Sequence, residues 1–413
     1  MIPTPDTGDH TSTLGKQQEP AAGMLEPPPS SAMGGDLIPG LPEDLARECL
    51  VRLGFDQLPL ARRVSRGWKA EVESPFHHSL RRPRALLALT QARPPLADSG
   101  PARKYAASAA GGHSYRLVLH DPAAVTWTPL PPLPCVRGDG GDGGGLPLFC
   151  QLAAVGEGPR TKLVVLGGWD PGTWAPTAAV HVYDFLTGLW RRGADMPAPR
   201  RSFFACAAVG GRVFVAGGHD EEKNALRCAA AYDAEADAWV ALPDMARERD
   251  EARGVRAGAA FVALGGYPTE AQGRFAGSAE AFDPVTWSWG PVRERVIEDG
   301  ACPRTCCSAP GAESGTMFML HDGHVMARDI DDESGEWRTV ARVPEDGRAS
   351  ATAAEVAAFG DGRVAIVGSA CHGAEQAVYV LSHDETKATP SWTRAAAPPE
   401  FTGHVQAACC VQI

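Results

Sequence analysis

Hydrophobic positions along the chain change period once. Between residues 36 and 82 they recur at helical spacing. Leu41-Pro42-Glu43-Asp44 opens the pattern, Leu45, Cys49 and Leu53 follow four apart, and Gly54 ends it. Pro42 and the acidic pair suit a first helical turn, where exposed backbone N–H groups favour negative charge. A second stretch starts near Leu58-Pro59-Leu60 and puts Val64, Trp68 and Val72 on one face, with Arg62, Arg63, Arg66 and Lys69 around them. The spacing therefore predicts two short amphipathic helices. A piece this small seldom folds alone, so its apolar surface needs a partner.

From about residue 84 short apolar runs replace the helical period, and they repeat. A Gly-Gly pair ends such a run at Gly167-Gly168, Gly217-Gly218 and Gly265-Gly266. An aromatic follows each pair (Tyr183, Tyr232, Phe282), and a tryptophan follows each aromatic by seven residues (Trp190, Trp239, Trp289). Three fainter units keep the tryptophan without the Gly-Gly pair, at Trp127, Trp337 and Trp392. Repeats of about 40–50 residues with several short strands each predict the blades of a β-propeller, a mostly β fold. The tryptophans mark six units. The missing Gly-Gly in the first and fifth leaves the blade count open between five and six.

Composition then narrows the class. Residues 1–35 are rich in proline and glycine and poor in large apolar side chains, which predicts a disordered tail. The run from Gly138 to Gly145 reads as a flexible loop tip. With 44% hydrophobic and 22% charged residues the chain has the make-up of a globular protein. A net charge of −11, from 39 basic against 50 acidic residues, argues against nucleic acid as a partner. No apolar run is long enough to cross a membrane, and polar, proline-bearing Met1–Asp9 does not read as a signal peptide. The 11 cysteines, several inside apolar runs, read as buried reduced thiols of a cytoplasmic or nuclear protein.

The run from Leu37 to Asp44, taken with Arg63-Val64-Ser65-Arg66-Gly67-Trp68-Lys69, resembles an F-box, and the units that follow resemble kelch repeats. Together, over about residues 36–413, they are similar to the plant F-box/kelch-repeat proteins. The resemblance divides the chain into a tail (1–35), an F-box (36–82) and a kelch propeller (84–413). Phe401 to Val411 reads as an innermost strand that closes the ring on the first blade, whose start near Arg84-Ala85-Leu86-Leu87 lacks one.

The family resemblance implies a substrate receptor of a Skp–cullin–F-box ubiquitin ligase. The head would bind the Skp adaptor, and through it cullin, while the propeller binds a protein substrate marked for proteasomal degradation. Relatives of this kind recognise enzymes of phenylpropanoid and flavonoid synthesis, such as phenylalanine ammonia-lyase or chalcone synthase, or cytokinin response regulators. The expected adaptor contacts are Leu41, Pro42, Leu45, Leu53, Val64 and Trp68; for Val64 and Trp68 the competing reading is packing inside the head. The alternative function is a kelch interaction scaffold without degradation.

Aligning the units on Gly-Gly puts Arg201 and Arg249 at equivalent positions, 16 residues before the first glycine. Asp250 and Glu251 follow directly, and Arg304 and Arg348 fall near the same place. These six are the expected target-binding rim; solvated loop charges are the competing reading. Nothing points to a catalytic residue, cofactor or metal. Gly138, Gly140 and Gly143 match a dinucleotide-binding pattern by letters but lack the flanking strand and helix. Cys302, Cys306, Cys307, His321 and His324 lack the tight paired spacing of closed zinc sites.

Overall fold

The computed structural model describes residues 36–93, 115–134, 145–156, 158–309, 315–329, 335–345, 354–368, 376–382 and 390–413. The tail (1–35), the glycine-rich stretch 138–144 and Arg348 lie outside the described residues.

The head holds four short helices, not two: α1 (Glu43–Val51), α2 (Leu58–Ala61), α3 (Arg66–Glu73) and α4 (Pro75–Leu80). The second stretch divides between Ala61, where α2 ends, and Ser65, whose backbone is extended and whose hydroxyl accepts from Trp68 N, capping α3. Ser74 does the same for α4, with Pro75 in its first turn. Breaking the period at Ser65 uncouples the face expected of Val64, Trp68 and Val72. Val72 is buried, Trp68 half-buried and Val64 exposed.

Six four-stranded antiparallel sheets follow, so the propeller has six blades. The first blade holds β1 (Ala85–Ala92), β2 (Tyr115–Asp121) and β3 (Thr126–Pro129). The second runs β4 (Gln151–Val155), β5 (Lys162–Leu166), β6 (Val180–Asp184), β7 (Leu189–Gly193). The third is β8 (Ala205–Val209), β9 (Arg212–Ala216), β10 (Ala229–Asp233), β11 (Ala238–Leu242). The fourth is β12 (Arg253–Ala257), β13 (Ala260–Leu264), β14 (Ala279–Asp283), β15 (Ser288–Trp289). The fifth is β16 (Cys306–Ser308), β17 (Thr316–His321), β18 (His324–Asp329), β19 (Arg338–Arg342). The sixth is β20 (Glu355–Ala358), β21 (Val364–Val367), β22 (Ala377–Ser382), β23 (Ser391–Ala396). Finally β24 (Val405–Gln412) returns to the first blade and pairs with β1, Ala85 opposite Gln412 and Leu89 opposite Ala408. The ring closes through that pairing, which leaves β1 no open edge.

The middle strands are buried on both faces because blades pack face to face. That is why β9 and β13 read as continuous apolar runs. The outermost strands, such as β11, are mostly exposed. Tryptophans on the outer edges tie each blade to the one before. Trp190 Nε1 donates to Pro131 O at 2.8 Å, Trp239 to Ala194 O at 2.9 Å and Trp289 to Pro243 O at 2.7 Å. Trp337 donates to Val296 O at 2.9 Å and Trp392 to Arg342 O at 3.0 Å. Trp127 sits at the closure seam, where Nε1 has no partner among the described residues; its ring stacks on Phe401 at 5.8 Å.

Both glycines of the pairs Gly167-Gly168, Gly217-Gly218 and Gly265-Gly266 adopt left-handed backbone. A Cβ on Gly218 would lie 2.3 Å from Ser202 O, so no side chain fits there. The fifth blade needs no such pair, because Asp322-Gly323 alone joins β17 to β18.

Two outcomes test this fold. Removing residues 404–413 exposes β1 and should replace a cooperative melt by a broad transition at lower temperature, measured by circular dichroism; an unchanged melt would count against closure by β24. The second concerns pH. Burial holds the imidazoles of His77, His120 and His181 down at about 4. The unfolded chain takes up protons near pH 6.5, before the folded one does. This part of the stability is therefore present above about pH 6.5 and lost as pH falls toward 4. Denaturant midpoints should be level from pH 8 to 7 and decline from 6.5 to 5.

Candidate functional site

The head is held together by a small core of Leu58, Ala61 and Val72, against which Leu53 and Trp68 pack. Trp68 Nε1 donates to Leu37 O at 2.7 Å, and Arg81 donates to Val51 O and Leu53 O at 3.0 and 2.8 Å, capping the end of α1. Leu53 and Trp68 therefore serve the interior of the head. Leu41, Pro42, Leu45 and Val64 do not. Leu41 is 38% exposed, Leu45 50% and Val64 60%. Leu60 and Leu80, absent from the expected set, are also exposed, Leu60 at 63%. Ten large apolar side chains are exposed among the described residues, and five of them lie in this head. A concentration of that kind marks a surface meant to be covered.

The head sits on the first two blades. Phe55 packs into their core and meets the Phe185 ring edge-on at 6.2 Å, while Pro59 fills the space over Gly188. Phe185 and Gly188 belong to the turn between β6 and β7. In the same sheet Asp184 pairs with Lys162, and Gln151 at the start of β4 lies at the far end, opposite Leu166. The inner strands β4, β8, β12 and β24 all start at that far end, around the mouth of the central channel. Head and mouth thus occupy opposite ends of the propeller.

At the mouth, the structure corrects three expected rim residues, Arg201, Arg249 and Asp250. Arg201 and Arg249 are only 2% and 1% exposed. Arg201 Nη1 donates to Gly217 O at 3.2 Å and Cys228 O at 2.8 Å. Arg249 Nη1 donates to Gly265 O at 2.6 Å and Ser278 O at 3.0 Å, and its Nε pairs with buried Glu280 at 3.1 Å. Each arginine bridges its own blade's Gly-Gly turn to the strand that follows, and the geometry shared by the two blades is structural. Burial lowers the Arg249 pKa, and Glu280 opposes that shift. Asp250 is also turned inward, with both oxygens 2.9 Å from His219 Nδ1. His219 Nε2 is 3.0 Å from Lys223 Nζ, which sits 4.6 Å above the Trp169 ring.

Glu251 and Arg304 do reach the mouth. Glu251 stands two residues before β12, as Phe149 and Phe203 stand before β4 and β8. All three have left-handed backbone, φ 52°, 57° and 52°, which costs free energy in a residue with a side chain. Arg304 is likewise two residues before β16, so it aligns with Glu251 and not with Arg249. It holds Glu355 at 3.2 Å. Burial raises the Glu355 carboxyl pKa, against the pull of Arg253 and Arg304. Sequence alignment missed Phe149, Phe203, Arg253 and Glu355. Their common signal is position relative to the inner strand, visible only once its start is known.

Thiols along the channel are passive: burial pushes Cys206 and Cys307 up to about 12.

The clamp has a measurable consequence. Arg249→Ala leaves Glu280 buried without its partner and should destabilise the propeller by roughly 3–5 kcal/mol in denaturant unfolding. A change near zero would return Arg249 to the rim.

Comparison with known proteins agrees with this two-part layout. An F-box domain model matches residues 38–78, and a Kelch motif model matches 159–197 and 200–246. The chain is 44% identical over 319 residues to F-box/kelch-repeat protein At1g80440 of Arabidopsis thaliana, covering 75% of this chain and 83% of that one. It is 36% identical over 386 residues to F-box/kelch-repeat protein At1g15670 of the same plant, covering 92% and 100%. With F-box/kelch-repeat protein SKIP20, also from Arabidopsis thaliana, identity is 34% over 75% of this chain and 81% of that one.

Proposed function

The chain belongs to the plant F-box/kelch-repeat family, the substrate adaptors of SCF-type ubiquitin ligases, and we propose that Leu41, Pro42, Leu45 and Val64 dock its head on a Skp adaptor while the channel mouth holds a protein target. The observation that carries this reading is the apolar exposure of the head. Leu45 and Cys49 are four apart on α1, Leu41 stands four before Leu45 just ahead of that helix, and all three are exposed. Covering each leucine contributes on the order of 1 kcal/mol, enough for a few anchors to hold a helical interface. Leu60 joins that surface in this proposal, whereas Leu53 and Trp68 support it from inside.

Ubiquitin transfer itself takes place on other subunits, and this chain supplies proximity. A target gripped at the mouth has its lysines held at raised effective concentration near the loaded conjugating enzyme. Since head and mouth face opposite ways, the propeller acts as a spacer between adaptor and target. The degraded target, on this proposal, is a phenylpropanoid or flavonoid enzyme such as phenylalanine ammonia-lyase or chalcone synthase, or a cytokinin response regulator. The proposed setting is the cytoplasm or nucleus, where unpaired thiols persist; nine cysteines of the described residues are free, four of them buried and, contrary to expectation, Cys49 and Cys302 exposed.

Leu45→Asp, and separately Leu41→Ala with Pro42→Ala, should lower capture of a Skp adaptor by about ten-fold or more while the propeller melt is unchanged. Full capture by both variants would overturn the docking proposal. Affinity purification with the proteasome blocked, read by mass spectrometry, should recover adaptor and target together. Adaptor without any protein that accumulates under the block would favour a scaffold.

A further inference from the structure

Arg253 opens β12 at the mouth of the channel, which it shares with two acids that each have another hydrogen-bond partner, and its charge also acts on the Glu355 carboxyl. Glu251 accepts from Tyr267 Oη at 2.8 Å, and Glu355 is held by Arg304 at 3.2 Å. Arg253 itself donates through Nε to Cys306 O at 3.0 Å. Its two terminal nitrogens have no partner among the described residues, and both mouth and channel cavities include it in their lining. Further along the channel Arg256 adds a second guanidinium, and no carboxylate lines that stretch among the described residues.

A second observation points the same way. Glu355 is 4% exposed and lines the mouth, yet its Oε2 has no hydrogen-bond partner among the described residues. A buried acceptor left open costs free energy unless a donor arrives. Beside it Phe149, Phe203 and Trp169 form an apolar shelf, with the Phe149 and Phe203 rings 5.3 Å apart. The channel offers about 110 Å³ and the mouth about 40 Å³, room for a side chain and too little for a helix.

We infer that the mouth reads an extended acidic segment of the target, with one carboxylate bidentate on Arg253, the adjoining backbone N–H on Glu355 Oε2, and a neighbouring apolar side chain on the Phe149–Trp169–Phe203 shelf. A guanidinium fork matches a carboxylate in two parallel hydrogen bonds, which an ammonium cannot copy. Lys223, fixed above Trp169, adds positive charge beside the shelf. The inference rests on the reading of the propeller as the target-holding part.

The test uses the full chain bound to a Skp adaptor and arrays of heptapeptide pools, random except for a central Asp, Asn or Lys. The Asp pool should retain about ten-fold more protein than either other pool. Arg253→Met should abolish that preference, and Arg253→Lys should keep only part of it. Raising salt from 0.05 to 0.5 M should also collapse it in the unaltered chain, a readout that holds whether or not a variant folds. Equal retention by the three pools, no retention by any, or a preference that survives Arg253→Met or high salt would overturn the inference. Adaptor capture is read in the same samples. Its loss with the Asp preference intact would sink the adaptor proposal alone, and the reverse result would sink only this one.

Discussion

The pairing of β24 with β1 is the constraint on which the rest depends. It joins residues 405–412 to residues 85–92, so the ring exists only when the far end of the sequence has come back to the first blade. The same seam fixes the head. Arg84 N donates to Ile413 O at 2.7 Å and Ile413 N to Arg84 O at 2.9 Å, pinning the chain where it leaves α4 and enters the propeller. Phe55 and Pro59 then seat the helices on the turn between β6 and β7. A contact this distant in sequence carries a high loop-closure cost, repaid only when all six blades pack.

Closure also decides where the head and the channel mouth sit. Six inner strands start at one end of a common channel, and the turns that carry the head lie at the other. The head keeps an apolar face because its own core is too small to use it: Leu58, Ala61 and Val72, with Leu53 and Trp68 against them, exhaust what a few short helices enclose. The mouth keeps polar character for a different reason. Its charged groups stand at the ends of strands, where side chains leave the blade-to-blade packing and face the channel.

The two arginines of the third and fourth blades show how one pattern supports two readings. Their spacing of 16 residues to the Gly-Gly pair is the reach of a hydrogen bond, from Arg201 to Gly217 O and from Arg249 to Gly265 O. The regularity that suggested a shared binding rim is the regularity of a shared internal clamp. Arg253, four residues after Arg249, carries no repeat signal and yet faces the channel.

Periodicity by itself determined the blade repeat with its tryptophan markers and the helical nature of the head, because each depends on local spacing of apolar residues or on turns that only glycine fits; the closing strand followed from the resemblance to kelch repeats. Resemblance to an F-box, not period, singled out Leu41, Pro42 and Leu45, and all three are exposed at the start of the head. Only the tertiary structure decided that Trp68 and Leu53 point inward, that Ser65 splits the second helix, that Arg201 and Arg249 are buried, and that Phe149, Glu251, Arg253 and Arg304 share one mouth. The physical reason is that spacing along a strand or helix sets which residues share a face, whereas what covers that face is set by other blades, brought there by closure across more than three hundred residues.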